Sequence, residues 1–237
     1  MSSANEPYCG WPPTPAAIAA SWNNDAVLLV ALSAAVLFGL RVNKPDRLAW
    51  WGGIAGLAIV FVSPLCALAS ALFAARGLHH LLVAAVVAPL LAVALPRLRS
   101  PAIAPALALS SLALWLWHWP VLYEAAYHNH LVYWALQILL LTSFVWFWRA
   151  VLSPSAPALG AVLAIGAGAG QMGLLGALLT LAPRPLYEVH GSAALLWGLD
   201  PLQDQQLAGL LMWVPAFFVY GGLALLAGRR VERASFG

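Results

Sequence analysis

The stretch Asp204–Pro215, DQQLAGLLMWVP, decides how this chain is read. A polar triplet, Asp204-Gln205-Gln206, runs straight into an apolar helix expected to end near Ala227. An acid and two amides at the mouth of such a helix are costly to desolvate, so they are expected to face a protein interior or a water-filled vestibule rather than lipid. Beneath them stand Met212, a soft thioether, and Trp213, with Pro215 placed to bend the helix. An N-cap followed by interfacial residues is the plainer reading of the same stretch.

The surrounding composition places that helix in a membrane. The 237 residues are 63% hydrophobic and 8% charged, with a mean hydropathy of +0.86. Charged residues make up about a quarter of an ordinary globular chain, so the class is a polytopic helical membrane protein. The apolar runs are continuous rather than alternating, which argues against a β-barrel. A spanning helix needs about 20 apolar residues, and seven runs approach or exceed that: 25–42, 49–73, 78–96, 102–125, 131–151, 157–182 and 206–228. The expected fold is an all-α membrane protein, a seven-transmembrane-helix bundle over residues 25–228. It follows an extracytoplasmic segment, 1–24, and precedes a basic tail, 229–237. Residues 1–24 hold no Lys or Arg and four prolines, which is not the pattern of a cleavable signal peptide.

Charge sorts by side. Arg41, Lys44, Arg47, Arg97, Arg99, Arg149, Arg229, Arg230 and Arg233 fall on one side of the expected bundle, and Arg76 and Arg184 on the other. The positive-inside rule makes the first side cytoplasmic, with the N-terminus outside and the C-terminus in the cytoplasm. Seven spans require the same. Gly52/Gly56 and Gly166/Gly170 are GxxxG pairs, expected to serve close packing inside the bundle rather than a dimer. Trp115, Trp117, Trp119 and Tyr123, and at the other end Trp146 and Trp148, read as interfacial belts.

On this topology all six histidines lie at the outer end: His79, His80, His118, His128, His130 and His190. Imidazole is the commonest metal ligand, and thioether or thiolate selects Cu(I). Met212 and Cys9 are candidate soft partners, with Met172 deeper. Nothing in the sequence argues for a disulfide between Cys9 and Cys66. An interfacial or loop histidine bonded to water is the plain reading of His128 and His130. There is no HxxxH, CxxC or MxxM pair, so the metal signal rests on side of membrane and not on spacing. No phosphate loop, no GxSxG and no paired intramembrane carboxylates appear, and basic residues scattered among short loops do not suit nucleic acid.

Several motifs recur together: SPL at Ser63–Leu65, HHLL followed by APLL at His79–Leu91, WHWPVLYEAA at Trp117–Ala126, FWRAVL at Phe147–Leu152, RPLY at Arg184–Tyr187, and DQQLAGLLMWVP. In this order they resemble the CtaG-type cytochrome c oxidase assembly factors, seven-span bacterial membrane proteins. The resemblance implies a non-enzymatic assembly factor in the bacterial cytoplasmic membrane. Its partners would be haem–copper oxidase subunits and the lipid bilayer, and its cargo copper. The residues it points to are His80, His118, Met212, Asp204 and Gln205. His79 is an added candidate ligand, and Asp204, Gln205 and Tyr123 are expected to orient ligands by hydrogen bonding. The chain departs from the family's third-helix pattern, HMxQH, at Arg76-Gly77-Leu78-His79-His80, and from its fifth-helix pattern, HxxEH, at Tyr133, Leu136 and Gln137. Two other readings stand beside copper holding: a metal-free scaffold for oxidase subunits, and a haem-binding membrane protein using His80 and His118.

Overall fold

Backbone groups that cannot reach water must bond within their own helix, and each of the seven apolar runs is helical. The computed structural model describes residues 6–95 and 102–235, and no strand occurs among them. Arg97 and Arg99, two of the arginines expected on the cytoplasmic side, lie outside the described residues. The helices are α1 (Ala26–Gly39), α2 (Arg47–Phe61), α3 (Pro64–Ala71), α4 (Phe73–Leu82), α5 (Ala88–Ala94), α6 (Ile103–Trp117), α7 (Pro120–His128), α8 (His130–Leu152), α9 (Ala158–Leu181), α10 (Gly191–Leu196) and α11 (Pro201–Ser235). A π-helical turn, Val83–Val87, joins α4 to α5 in one 22-residue helix, Phe73–Ala94.

Among the described residues four helices are long and apolar enough to cross a membrane: Phe73–Ala94, His130–Leu152, Ala158–Leu181 and Pro201–Leu225. Two bent pairs raise the number to six if each is one span: Lys44–Phe61 with α3, at 45°, and α6 with α7, at 70°. The first run supplies the 14 residues of α1, about 21 Å of helix against a hydrocarbon core of about 30 Å. Among the described residues length and composition alone therefore give four to six of the seven expected spans. Helix α11 is continuous through Pro215 and on to Ser235, beyond the expected end of the last span.

The bends have local causes. At Ser63-Pro64 the serine hydroxyl accepts the Leu65 N–H at 3.2 Å and proline opens the next helix. At Trp119-Pro120 the proline supplies no N–H, and the chain turns before restarting as α7. In the π turn Ala88 N–H bonds back to the Val83 carbonyl. The next residue is Pro89, so the Ala84 carbonyl is left over, and the Trp148 indole N–H takes it at 2.7 Å. Trp148 and Trp117 are thus core residues, 0% and 2% exposed, and not the interfacial belt expected of them. Trp119, 56% exposed, does face outward.

Small residues set the helix crossings. A side chain at Gly53 or Gly56 would collide with Leu91 or Val87, so α2 seats directly on the α4–α5 helix as expected of Gly52/Gly56. The Gly166/Gly170 pair behaves differently. Neither glycine touches a neighbour; with Trp213, Phe217 and Tyr220 they line a lateral groove of about 370 Å³. The close approach of α9 and α11 is made instead at Gly176 and Gly209, where either side chain would meet the other's carbonyl.

The N-terminal segment is strapped across one end. A disulfide joins Cys9 to Cys66, with Cα atoms 5.2 Å apart, a pairing for which nothing in the sequence argues. Tyr8 stacks on Tyr133 at 4.9 Å, the His130 Nε2–H donates to the Glu6 carbonyl at 2.8 Å, and the Trp197 indole donates to the Pro13 carbonyl. A disulfide sulfur is not a thiolate, so Cys9 is no soft ligand in this form.

Candidate functional site

The strapped end is where the polar side chains gather. Helix α4 begins after Leu72, whose extended backbone (φ −124°, ψ 131°) offers no side-chain cap to the first N–H groups. The cap comes from 130 residues away. Asp204 accepts the Phe73 N–H at 2.7 Å and the Ala74 N–H at 2.9 Å, its carboxylate against the positive end of the helix. Gln205 accepts the Leu186 N–H at 2.6 Å and donates to the Leu179 carbonyl at 3.2 Å. The helix mouth is thus a clamp tying α4, α9 and the loop between α9 and α10. Neither side chain orients a histidine, which is the role expected of them, because the backbone N–H groups of broken helices claim them first.

Held this way, α4 points Arg76, His79 and His80 into the bundle. His79 is 0% and His80 1% exposed, and neither ring has a hydrogen-bond partner on either nitrogen among the described residues. His118 comes from the break after α6. Its backbone N–H bonds to the Trp115 carbonyl, so the Leu114 carbonyl is freed and accepts the His118 Nδ1–H at 2.7 Å. That bond fixes the tautomer and leaves the Nε2 lone pair unpartnered. The His80 and His118 rings lie 5.3 Å apart, nearly perpendicular, with Trp117 4.5 Å from His80 and His79 5.6 Å from it. Met212 is buried on α11 and packs where Gly77 leaves room, about one turn before His80 on α4.

An aromatic layer covers these rings. Phe73 stacks on Tyr187 at 4.0 Å, and the Tyr187 hydroxyl donates to the His118 carbonyl at 2.7 Å. The Tyr123 hydroxyl bonds His190 Nε2 at 2.6 Å and does not reach a candidate ligand. Burial pushes the His190 imidazole down to about 3, the Arg76 cation adds to that, and the Ala71 and Ser70 carbonyls oppose it. The ring is therefore neutral at any ordinary pH. Tyr123, Glu124, Tyr187 and Glu188 line a crevice of about 280 Å³ beside the layer. His128 is exposed, and His130 serves the strap.

Sequence reading missed four members of this end. Arg76 is not a loop residue but 4% exposed inside the bundle, because α4 starts at Phe73 and not at 78. It donates to the Tyr133 hydroxyl at 3.4 Å, and Gln137 Nε2 donates to the same oxygen at 3.3 Å. Three of the positions at which the chain departs from the two family patterns, 76, 133 and 137, thus meet in one hydrogen-bonded group. His190 is the fourth.

Two imidazoles and a thioether are donors that suit a low-coordinate soft ion such as Cu(I). A histidine with one nitrogen on a backbone carbonyl and the other free has the form of a metal ligand. Among the described residues no group of three or more His, Cys, Asp or Glu converges.

Fold and site together define an all-helical protein with helices of membrane-crossing length and unpartnered imidazoles buried beneath one end. The chain belongs to the cytochrome c oxidase caa3 assembly factor (Caa3_CtaG) family, whose model matches residues 26–234. Neither a curated protein nor a solved structure matches it.

Proposed function

We propose that this protein holds copper(I) for a haem–copper oxidase at the outer face of the bacterial cytoplasmic membrane, without catalysing a reaction. His80 and His118 supply nitrogen, Met212 supplies sulfur, and His79 stands beside them. The observation that carries this is His118: its Nδ1–H is committed to the Leu114 carbonyl, and its free Nε2 belongs to a ring packed against the equally unpartnered His80. Glu124 and Glu188 at the crevice collect cations, and Tyr123 and Tyr187 separate the crevice from the imidazoles. Asp204 and Gln205 act by fixing α4 in place.

The orientation follows from two supports. Basic residues collect on one side of the expected bundle, and a Cys9–Cys66 disulfide suits an oxidising compartment, which supports an outer position for the strapped end. All seven apolar runs then cross, α1 by local thinning of the bilayer.

Anaerobic Cu(I) loading of the purified protein tests the proposal. One tightly held copper per chain is expected. A metal-free scaffold binds none, and the buried Arg76 cation beside the histidines is the observation that favours that second reading. A Soret band in the purified protein would instead point to haem.

A further inference from the structure

Arg76 is a permanent cation inside an apolar bundle, and the chain gives it no countercharge among the described residues. Its guanidinium carries five N–H donors; one reaches the Tyr133 hydroxyl at 3.4 Å, and the neutral Tyr123 hydroxyl interacts with the group as well. Two ring faces also pack against it, Tyr133 at 5.4 Å and Trp117 at 5.9 Å. The buried acid of this end, Asp204, spends its oxygens on the Phe73 and Ala74 N–H groups. Leaving a charge buried without a counterion costs far more than cation–π contacts return.

The neighbours are short of acceptors in the same place. Trp117, whose ring packs against the guanidinium, has a buried indole N–H with no partner. His79 and His80, one turn along α4, each carry an unpartnered ring N–H. The Tyr133 oxygen already receives Gln137 as well as Arg76. A cation surrounded by unmet donors matches one kind of ligand, an anion of single charge and small size.

We infer that the protein binds a small monovalent anion, a halide or a formate-sized carboxylate, at Arg76, with Trp117 Nε1 as a second donor. The anion neutralises the guanidinium and lifts its repulsion of any cation held nearby. The site itself needs no metal.

The test is thermal unfolding of metal-free protein in non-ionic detergent with chelator, followed by tryptophan emission. A bulky sulfonate is exchanged stepwise for chloride, or in a second arm for formate, at constant ionic strength. A saturable rise in Tm is expected with at least one of the two, and the arm that saturates lower identifies the anion class. Arg76→Gln should be flat in both, while the exposed Arg184→Gln should respond as the parent does. Should Arg76→Gln fail to fold, Trp117→Phe keeps the ring face and removes the N–H, and should weaken the anion about tenfold. A flat parent, or an equal rise in Arg76→Gln or an unchanged one in Trp117→Phe, overturns the inference. Copper loading is measured separately, so neither result decides the other.

Discussion

Asp204 shows how far one side chain reaches in this protein. Two buried backbone N–H groups depend on its carboxylate, and leaving them unmet costs about 1–3 kcal/mol each. Asp204→Ala should therefore destabilise the protein by about 2–4 kcal/mol in denaturant titration, and Asp204→Asn, which keeps one acceptor oxygen, by less. An alanine variant of parental stability would show that α4 does not rely on the clamp. The sequence made Asp204 conspicuous, since an acid at a helix mouth must be used for something. It did not say for what, because the Phe73 and Ala74 N–H groups become orphans only once Leu72 is known to be extended. Arg76 is the same case reversed. Its charge suggested a loop, and only the partners Tyr133 and Trp117, each distant in sequence, make its burial visible.

Among the elements, the apolar runs were legible and their interruptions were not. The π turn before Pro89 and the 70° break at Trp119-Pro120 depend on where leftover carbonyls find donors, Trp148 for one and His118 for another. Both donors had been read as interface or ligand residues, and the first is a structural answer to a proline. The N-terminal strap was missed because two cysteines carry no pairing information until Asn23, Tyr8 and His130 fold the segment onto α8 and the end of α2. The disulfide closes a loop between residues 57 apart. Reduction with a membrane-permeant dithiol, or Cys9→Ser, should lower stability by about 2–4 kcal/mol, read as a fall in Tm. No change in Tm would mean the segment is held by its aromatic contacts alone.

At the scale of the molecule, one end concentrates the polar groups: four imidazoles, a guanidinium, a carboxylate and the disulfide strap. That concentration is what the one-sided histidines announced in the sequence, and of the two surroundings expected for the helix mouth, interior or vestibule, Asp204 and Gln205 have the interior, with Tyr123, Tyr187 and Phe73 packed together nearby. The orientation is testable directly. Single cysteines at positions 128 and 229, on a Cys9→Ser, Cys66→Ser background, should react with an impermeant maleimide from outside at 128 and not at 229. The reverse pattern would turn the protein over and place the imidazoles on the cytoplasmic side.

The most direct measurement of the central claim is copper stoichiometry after anaerobic Cu(I) loading across three variants. His118→Ala removes the imidazole that the Leu114 carbonyl orients, and Met212→Leu removes the thioether while keeping the volume. Each should weaken binding about tenfold or more, the range seen when a metal site loses a supporting group. His130→Ala, which alters only the strap, through its bond to Glu6 and its ring contact with Tyr8, should load as the parent does. If His118→Ala and Met212→Leu hold copper normally while His130→Ala does not, the metal is held in the outer segments and the buried pair is not its site.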